Sequence, residues 1–476
     1  MLGFSSFWMR KIRTPADYLV GGRHFSFWIL AGTITAGCIG TGVIVGASGL
    51  AYRHGWAGSV YPIALGLGTA FTGLSFAMAR RYNFMTLSEE ITAYYGGNRI
   101  IAEFSNLSLF FSQLFWVTVQ IMGGAAVIAS VTQLPLSTSV FLAGTIAAGV
   151  TIPGGLKSVV YTDFLQALIL LTGFSLLSYE ALFHHGGWSA LRASVPPAYF
   201  SFLGIAAYGG WQVAGLLVAL ILAVVADPGR RLSMYSAKKE SYARWAMVAA
   251  GLVVIAFSTL IGITGMTAFR LNPHLARPDE AILWLVMHAL PAWLAMLVVV
   301  SITSGIISCT NGTAMAASTF FIRHIYPLFT RGRFPRRPLL TVRLALVVLF
   351  LLAMTVALHA GTIVGFVVKF LPLTMSGVAI IILLGRFWRR STWQGALAAL
   401  LVTPLVSLAG MWTPGHPPWL SNAITPTLAG AAAQIVVSLL TPAKPQSFEQ
   451  AARIIGAARQ ALEAGESAST VQAAAQ

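Results

Sequence analysis

A dense run of hydroxyl and amide side chains interrupts one of the most apolar intervals of this chain. The run consists of Ser301, Thr303, Ser304, Ser308, Thr310, Asn311, Thr313, Ser318 and Thr319. Isolated hydroxyls in an apolar helix bond back to their own backbone, whereas a run this dense favours a polar path or a neighbouring helix. Oxygen atoms suit hard cations. Ser308 is therefore a candidate ion ligand, with simple helix packing as the alternative.

Four glycines stand close together in the first apolar interval, at Gly37, Gly40, Gly42 and Gly46. Each weakens a helix by roughly 1 kcal/mol relative to alanine. A membrane span tolerates unwound backbone only where it is buried in protein or lines a cavity, and free carbonyls at such breaks coordinate sodium in many transporters. Close helix packing through small residues is the alternative.

Two ionisable side chains fall inside predicted spans, where such residues are candidates for function. Asp163 lies near the start of one span, and its alternative role is an interfacial cap or ion pair. Lys369 lies several residues into another span, and its alternative is snorkelling of the ammonium to the nearer membrane surface.

The chain lacks the patterns of an enzyme or of a resident cofactor site. No histidine pair has metal-ligand spacing, and no nucleophile–base pair or phosphate-binding loop occurs. Gly40-x-Gly42 lacks the strand context that a dinucleotide-binding fingerprint requires. Cys38 and Cys309 both lie in apolar runs, which excludes a disulfide framework. We expect no enzymatic activity and no cofactor.

The composition indicates a polytopic membrane protein. Charged residues make up 9% and hydrophobic residues 57% of the 476 residues. Soluble proteins carry about 25% charged residues, so this chain has too few charges to cover a soluble globule, and a lipid bilayer must surround it. A net charge of +17 would suggest nucleic acid in a soluble protein, but the membrane orientation signal described next explains it, so we expect no nucleic-acid partner.

Apolar intervals of about 20 residues predict twelve transmembrane helices. They fall at 24–52, 54–79, 104–156 (two helices that separate near residue 135), 163–179, 210–226, 245–269, 294–322, 344–368, 364–384 and 391–443 (two helices that separate at 412–419). The stretch 281–293 is predicted to be an outer loop segment. A short amphipathic helix at 448–464 is predicted to be solvated.

Basic residues alternate between the two sides of these helices. With the N-terminus inside, 25 of the 30 lysines and arginines, Arg230 and Arg231 among them, fall on inner segments and four on outer ones. Lys369 is left inside the membrane. Inner loops carry the excess of basic residues in membrane proteins. The distribution predicts a bacterial-type inner (plasma) membrane protein with both termini in the cytoplasm.

Four separated segments resemble the sodium:solute symporter family, which contains the sugar, proline, sialic acid and choline transporters. The segments are 17–23, 154–166, 304–326 and 385–390. Together with the loop at 236–240 they span most of the chain, which makes the resemblance specific. Several segments look nearest to the choline-transporter-like branch.

The resemblance implies an all-α polytopic membrane protein of the leucine-transporter type. It has 12 transmembrane helices, a core of two five-helix repeats of inverted topology, and a broken helix 1. The implied parts are a cytoplasmic segment at 1–24, a core at 25–385 with repeats at about 25–180 and 205–385, two peripheral helices at 386–441 and a cytoplasmic tail at 442–476. The family usually has one more helix before its Asp-Tyr motif, here Asp17-Tyr18; only nine residues precede Arg10, so that helix is either absent or lies before the start of this sequence.

Carried over residue by residue, the resemblance implies a sodium site between helices 1 and 8. Its ligands would be the backbone carbonyls of Ala36, Ile39 and Gly305 and the hydroxyl of Ser308. The family's second hydroxyl falls on Cys309, whose thiol is a soft and weak ligand for a hard cation.

A further sodium position used by some members would take Asp163 and Ser308. Its remaining positions are Asn311 and Gly312 here, so hydroxyls around Asp163 are lost. These departures favour, as an alternative, a proton-coupled or uncoupled carrier of the same fold. Lys369 is then the candidate coupling residue.

The substrate positions also depart from the family pattern. The candidate substrate-binding residues are Gly40, Thr41, Gly42, Val43, Tyr61, Trp116, Gln120, Val225 and Phe366. Choline needs aromatic faces for its ammonium, and a sugar needs many buried hydrogen-bond partners; this mainly apolar pocket offers neither. Backbone amides near Gly40 and Gly42 could hold a carboxylate. We expect a small organic acid or an apolar amino acid.

Together with these residues, the resemblance implies a secondary active transporter that carries a small organic solute with sodium by alternating access. The first alternative changes the coupling ion, as described above. The second is a membrane sensor or interaction subunit that has lost transport. The sequence makes no prediction of the oligomeric state.

Overall fold

The structure is a computed structural model that describes residues 24–152, 156–330, 335, 337–412, 423–442 and 447–463. Several predicted features lie outside these residues. They are the N-terminal segment up to residue 23 with its family-like stretch 17–23, residues 154–155 of the second family-like stretch, the break at 413–419, and the tail beyond residue 463.

The described chain is helical, and it contains a single isolated bridge between extended segments. The helices are α1 (Phe27–Cys38), α2 (Ala47–His54), α3 (Val60–Phe76), α4 (Leu87–Tyr94), α5 (Arg99–Thr132), α6 (Leu136–Thr151), α7 (Leu156–Phe183), α8 (Gly187–Ser194), α9 (Ile205–Tyr208), α10 (Gly210–Val225), α11 (Pro228–Tyr235), α12 (Glu240–Leu271), α13 (Ala281–Ala289), α14 (Ala292–Phe320), α15 (Tyr326–Phe329), α16 (Pro338–His359), α17 (Ile363–Leu371), α18 (Gly377–Phe387), α19 (Trp393–Trp412), α20 (Ile424–Leu440) and α21 (Phe448–Glu463). Wider π-helical turns occur at Gly42–Gly46, Phe321–Ile325 and Pro372–Ser376.

Length and apolar composition identify the spans. Within the described residues, eight helical stretches are long and apolar enough to cross a membrane, or nine if the bent pair α10 and α11 forms one span. Three shorter apolar helices, α1, α6 and α20, stand where further spans are predicted. The all-helical, multi-pass character is thus confirmed, while the total of twelve crossings stays a prediction.

Two predicted boundaries are wrong. The ninth predicted helix ends at His359 rather than at residue 368, because Ala360 is extended and Thr362 caps α17 by accepting the N–H of Gly365 at 3.2 Å. The predicted outer loop at 281–293 contains α13 instead. This helix is separate from α14 because Pro291 disfavours helical backbone at the residue before it.

The amphipathic helix α21 is not a solvated helix. Its first residue, Phe448, stacks on Tyr94 with ring centroids 4.8 Å apart and meets Tyr82 edge-on at 5.0 Å. Ala451 and Ala452 are buried. The helix therefore packs on α4 of the same chain.

The outer faces of several helices are strongly apolar. Large exposed side chains on α16, α19 and α20 include Leu344, Leu351, Leu405, Leu428 and Leu440. Apolar surface on this scale is unfavourable in water, which fits contact with lipid.

Close helix packing brings α1 to the centre of the bundle. α1 contacts α7, α12 and α14, and α14 in turn contacts α5 and α7. Small residues permit the approach: a Cβ added at Gly32 on α1 would collide with Phe164 Cδ2 on α7. Any break in α1 is therefore enclosed by neighbouring helices.

A buried ion pair joins α4 to α11. Arg231 Nη1 lies 3.0 Å from Glu90 Oε1, and neither side chain is exposed. The hydroxyls of Tyr94 and Tyr235 donate to the same carboxylate, and the guanidinium lies 4.0 Å from the centre of the Phe76 ring. The charges of both partners are thus compensated inside the protein.

A short parallel bridge joins the segment before α1 to the segment after α11. The N–H of Phe25 donates to the Ser236 carbonyl at 3.4 Å, and the N–H of Lys238 donates to the Phe25 carbonyl at 3.1 Å. Arg80 Nε donates to the intervening Ala237 carbonyl at 2.6 Å. The beginning of α1 is therefore bound to the end of α11.

Candidate substrate and ion sites

Helix α1 is interrupted at its glycine-rich stretch. Regular helix ends at Cys38, Ile39 leaves helical geometry with φ −96° and ψ 65°, and the chain resumes as the π-helical turn Gly42–Gly46. The N–H of Thr41, at the break, donates to Gln120 Oε1 on α5 at 3.2 Å. A side chain from α5 thus supports the interruption.

The polar run on α14 faces this break. Cys309 Sγ donates to the Ala36 carbonyl at 3.3 Å and lies 3.5 Å from the Gly37 carbonyl. The neighbouring Ser308 hydroxyl donates to Asp163 Oδ1 on α7 at 2.5 Å. All three side chains are buried, so α1, α7 and α14 meet at one polar point.

The backbone of α14 also comes close to the break. A Cβ added at Gly305 would lie 3.0 Å from the Ile39 carbonyl oxygen. The six candidate ion-site residues of the sequence are therefore neighbours in the fold, and their oxygens belong to three different helices.

A cavity of about 80 Å³, here called the ion cavity, lies beside this point. Asp163, Ser308 and Cys309 line it, together with two charged residues that the sequence did not suggest for the site, Asp227 and Arg230. Two carboxylates and one guanidinium leave one negative charge on its lining when all three are ionised. A single positive charge would then balance the lining.

The charge pattern predicts Arg230 on an inner segment, but the residue is only 8% exposed. The chain breaks after α10 and starts α11 at Pro228, with Asp227 capping the new helix by accepting the N–H of Gly229 at 2.8 Å. The other oxygen of Asp227 accepts a hydrogen bond from Arg230 Nη1. The pair Asp227-Pro228 is a helix-start signal that could have revealed this break.

A second, smaller cavity of about 50 Å³, here called the substrate cavity, lies beside the same break. Six candidate substrate residues line it: Gly40, Gly42, Val43, Tyr61, Trp116 and Gln120. Cys38, Cys309 and Arg230 also contribute to its wall. Asp227, Arg230 and Cys309 line both cavities and so connect them.

Polar atoms in this wall lack partners. Tyr61 Oη, Trp116 Nε1 and Arg230 Nε are buried and have no hydrogen-bond partner among the residues that the structure describes. An unpaired buried donor is costly. The substrate cavity is therefore lined by hydrogen-bonding capacity that the protein itself does not use.

Three other candidates lie elsewhere. Val225 is fully buried, its carbonyl faces Arg231 Nη2 at 3.4 Å, and it lines neither cavity. Phe366 packs on Phe370 with centroids 4.4 Å apart, also away from the two cavities. Thr41 takes part through its backbone, because its side chain points at Gly123.

Lys369 lines a different cavity from the candidate ion-site residues. Its side chain is exposed and lines a separate cavity of about 720 Å³, here called the outer cavity, together with Arg53, His54 and Asp279. Lys369 does not line the cavity that contains Asp163 and Ser308.

Broken helices that enclose buried polar cavities within an apolar bundle are the architecture of a secondary transporter. The sequence model of the Sodium:solute symporter family matches residues 18–403, and the chain belongs to that family. It is therefore a multi-pass membrane transporter and not an enzyme, as the sequence predicts.

Named relatives share about a quarter of their residues with this chain. It is 25% identical over 418 residues to the sodium/pantothenate symporter of Escherichia coli (strain K12), which covers 84% of this chain and 86% of the relative. It is 23% identical over 474 residues to the high-affinity proline transporter PutP of Bacillus subtilis (strain 168), covering 94% and 97%. It is 24% identical over 389 residues to the high affinity choline transporter 1 of Homo sapiens, covering 77% and 66%.

Solved structures show the same fold. A substrate-bound, outward-open Na⁺-coupled sialic acid symporter superposes with a TM-score of 0.75 at 15% identity, covering 94% of this chain and 96% of that one. Mhp1, a nucleobase-cation-symport-1 transporter, superposes with a TM-score of 0.58 at 16% identity, covering 93% and 99%.

Proposed function

We propose that this protein is a sodium-coupled symporter of a small organic solute, an organic acid or an apolar amino acid, that works by alternating access. The observation that carries the proposal is the buried Asp163 carboxylate. It accepts a hydrogen bond from Ser308 at the α1 break, and the described residues provide no ion-pair partner for it.

A carboxylate in this position needs a positive charge or a proton. Asp163 is 4% exposed, and a buried, uncompensated charge costs several kcal/mol. The net charge of the ion cavity, with Asp163 and Asp227 against Arg230, is balanced by one monovalent cation.

The oxygen atoms around Asp163 favour sodium as that cation. Backbone carbonyls of Ala36 and Ile39 approach the Gly305–Ser308 side of α14, and hard cations bind such oxygens. A cation held by both helices would fix the distance between α1 and α14. It would thereby shift the population toward one conformation of the transporter.

Proton coupling is the second candidate, and Cys309 favours it. Its thiol already donates to the Ala36 carbonyl, which is one of the oxygens that sodium would use. Protonation of Asp163 would neutralise the same charge without requiring that carbonyl.

For the whole chain we propose twelve crossings of the plasma membrane with both termini in the cytoplasm. The transport core would span 25–385 with inverted repeats at about 25–180 and 205–385, followed by peripheral helices at 386–441, while 1–24 and 442–476 would be cytoplasmic. The alternation of basic residues supports the orientation.

The experiment is thermal unfolding of the purified protein in sodium and in potassium at matched ionic strength. A ligand at a hundred times its Kd stabilises the folded state by about 2.7 kcal/mol. We expect sodium to raise the Tm of the wild type but not of Ser308→Ala or Asp163→Asn. Ser318→Ala is the matched control, because that hydroxyl lies on the same helix and bonds to the Met315 carbonyl.

The outcomes separate the two coupling ions. A sodium shift that survives in both Ser308→Ala and Asp163→Asn would contradict the proposed site. No sodium shift in the wild type, together with solute uptake that responds to pH and requires Asp163, would replace sodium with the proton.

A further inference from the structure

We propose that the transported solute is a short-chain monocarboxylate and that Arg230 binds its carboxylate. The inference rests on the proposed transport function and names the substrate class of the same site. It begins from the hydrogen bonds that the guanidinium makes and those that it leaves unmade.

One edge of the Arg230 guanidinium is available. Nη1 donates to Asp227, whereas Nη2 faces Cys38 Sγ at 3.4 Å and Nε has no partner among the described residues. A cysteine sulfur is a weak acceptor. Nε–H and Nη2–H point in the same direction from the planar group, and this edge can hold a carboxylate through two parallel hydrogen bonds.

The wall of the substrate cavity contains Arg230 together with its acidic partner Asp227. Arg230 and Cys38 both line that cavity, as do Tyr61 and Trp116, whose polar atoms also lack partners within the described part of the chain. The guanidinium and the indole N–H can only donate. The occupant that satisfies them must supply acceptor atoms, and an anion does so most strongly.

The cavity size limits the occupant. Each water needs roughly 10–15 Å³ by this measure, so about 50 Å³ accommodates only a few heavy atoms. Val43 and Leu65 provide an apolar wall for a short alkyl chain. Acetate and propionate match this size and polarity, while a dicarboxylate would add a second negative charge to a wall that already contains Asp227.

The charges explain why the anion would travel with a cation. The ion cavity shares Arg230 and Asp227 with the substrate cavity, and Asp163 gives it one excess negative charge when all three groups are ionised. A cation beside Asp163 removes that charge and so strengthens anion binding. By thermodynamic linkage the anion must strengthen cation binding by the same factor.

The test uses the purified full-length protein in sodium, with propionate and propionamide as probes. Propionamide has the same size but no charge. We expect propionate, not propionamide, to raise the Tm and to be taken up as the labelled anion into proteoliposomes. In Arg230→Gln we expect affinity for propionate to fall about 10- to 100-fold, which is the range for lost charge-assisted hydrogen bonds.

Two variants keep the test decisive. Asp227→Asn/Arg230→Gln removes both charges, so it tests the guanidinium even if the single variant folds poorly, and it should also lose the propionate response. Arg192→Gln removes an exposed arginine and should keep the response.

Equal effects of propionate and propionamide would overturn the inference. So would an unchanged propionate response in the double variant. A wild type that responds to sodium but not to propionate would reject the substrate class alone, whereas a wild type with no sodium response would reject the proposed coupling.

Discussion

The thiol of Cys309 on α14 donates to the carbonyl of Ala36 on α1 across 3.3 Å. This contact joins the polar run of one helix to the interrupted end of another. It also puts sulfur, a soft atom, where an oxygen would serve a hard cation better.

The first prediction follows from this contact. Cys309→Ser replaces the thiol by a hydroxyl oxygen, and we expect sodium to bind roughly tenfold more tightly. The added oxygen ligand should contribute about as much binding free energy as one hydrogen bond, which corresponds to about that factor in affinity. Sodium titration followed by thermal unfolding measures the affinity. Thr310→Ser is the control, because this hydroxyl bonds to the Ile306 carbonyl of its own helix; unchanged or weaker binding in Cys309→Ser would contradict the prediction.

The second prediction concerns the buried pair of Glu90 and Arg231. Removing one charge leaves the other uncompensated, so Glu90→Gln should destabilise the protein by about 3–5 kcal/mol. The double variant Glu90→Gln/Arg231→Met should recover part of that loss. Thermal unfolding measures both.

The exposed pair of Arg99 and Glu103 is the matched comparison. Glu103→Gln should cost about 0–1 kcal/mol. If Glu90→Gln costs no more than Glu103→Gln, burial does not determine the strength of the Glu90–Arg231 pair.

The third prediction tests the support of the α1 break. A Cβ at Gly123 on α5 would collide with the side chain of Thr41. Gly123→Ala should therefore separate α5 from the break, weaken the Thr41–Gln120 hydrogen bond and cost about 1–3 kcal/mol. Solute uptake should fall with it.

Gly149→Ala is the control, because nothing lies within 4 Å of an added Cβ there. This substitution should be neutral or stabilising by up to about 1 kcal/mol. Equal stability of the two variants would show that α5 does not need its close approach to Thr41.

The fourth prediction is a pH dependence that arises at Asp279. Burial raises the pKa of this carboxyl above its ordinary value of 3.8. Two interactions oppose the rise in pKa without cancelling it: the hydrogen bond that the Ile363 N–H donates to Asp279 at 2.9 Å, and the positive charge of Arg53. The native state thus binds the proton more tightly than the unfolded chain. This contribution to stability is fully present below pH 3.8 and is lost as the pH rises through the raised pKa.

Asp279→Asn keeps an acceptor for Ile363 but cannot ionise. We expect the wild type to lose stability relative to this variant as the pH rises from 3.8. Tm profiles against pH compare the two proteins directly. A difference that stays constant, or one that moves in favour of the wild type, would contradict the assignment.

The sequence predicted an all-helical, multi-pass protein correctly because apolar length is a local property, while the total of twelve crossings stays a prediction. It also indicated the α1 break, because four glycines accumulate there, and the neighbourhood of Ser308 with Asp163 through the family resemblance. The helix boundary at His359 was missed, because the apolar pattern continues through residues 360–368 while the backbone does not.

Arg230 shows why the rest of the site could not be predicted. Along the chain it stands beside Arg231 and near Lys238, and charge alone assigned all three to an inner segment. The bend between α10 and α11 turns Arg230 toward the α1 break, and that bend depends on tertiary contacts. Val225 is a candidate substrate residue of the sequence, but its side chain is buried away from both cavities.

The parallel bridge at Phe25 has a mechanical consequence. Two backbone hydrogen bonds link this residue to Ser236 and Lys238, and each contributes about 1 kcal/mol. The end of α1 that begins at Phe27 and the end of α11 at Tyr235 therefore cannot swing as independent flaps without breaking that link. We expect α1 and α11 to move together as one rigid body. The α1 segment beside Asp163 and the α11 segment that contains Arg230 would then change their exposure at the same time.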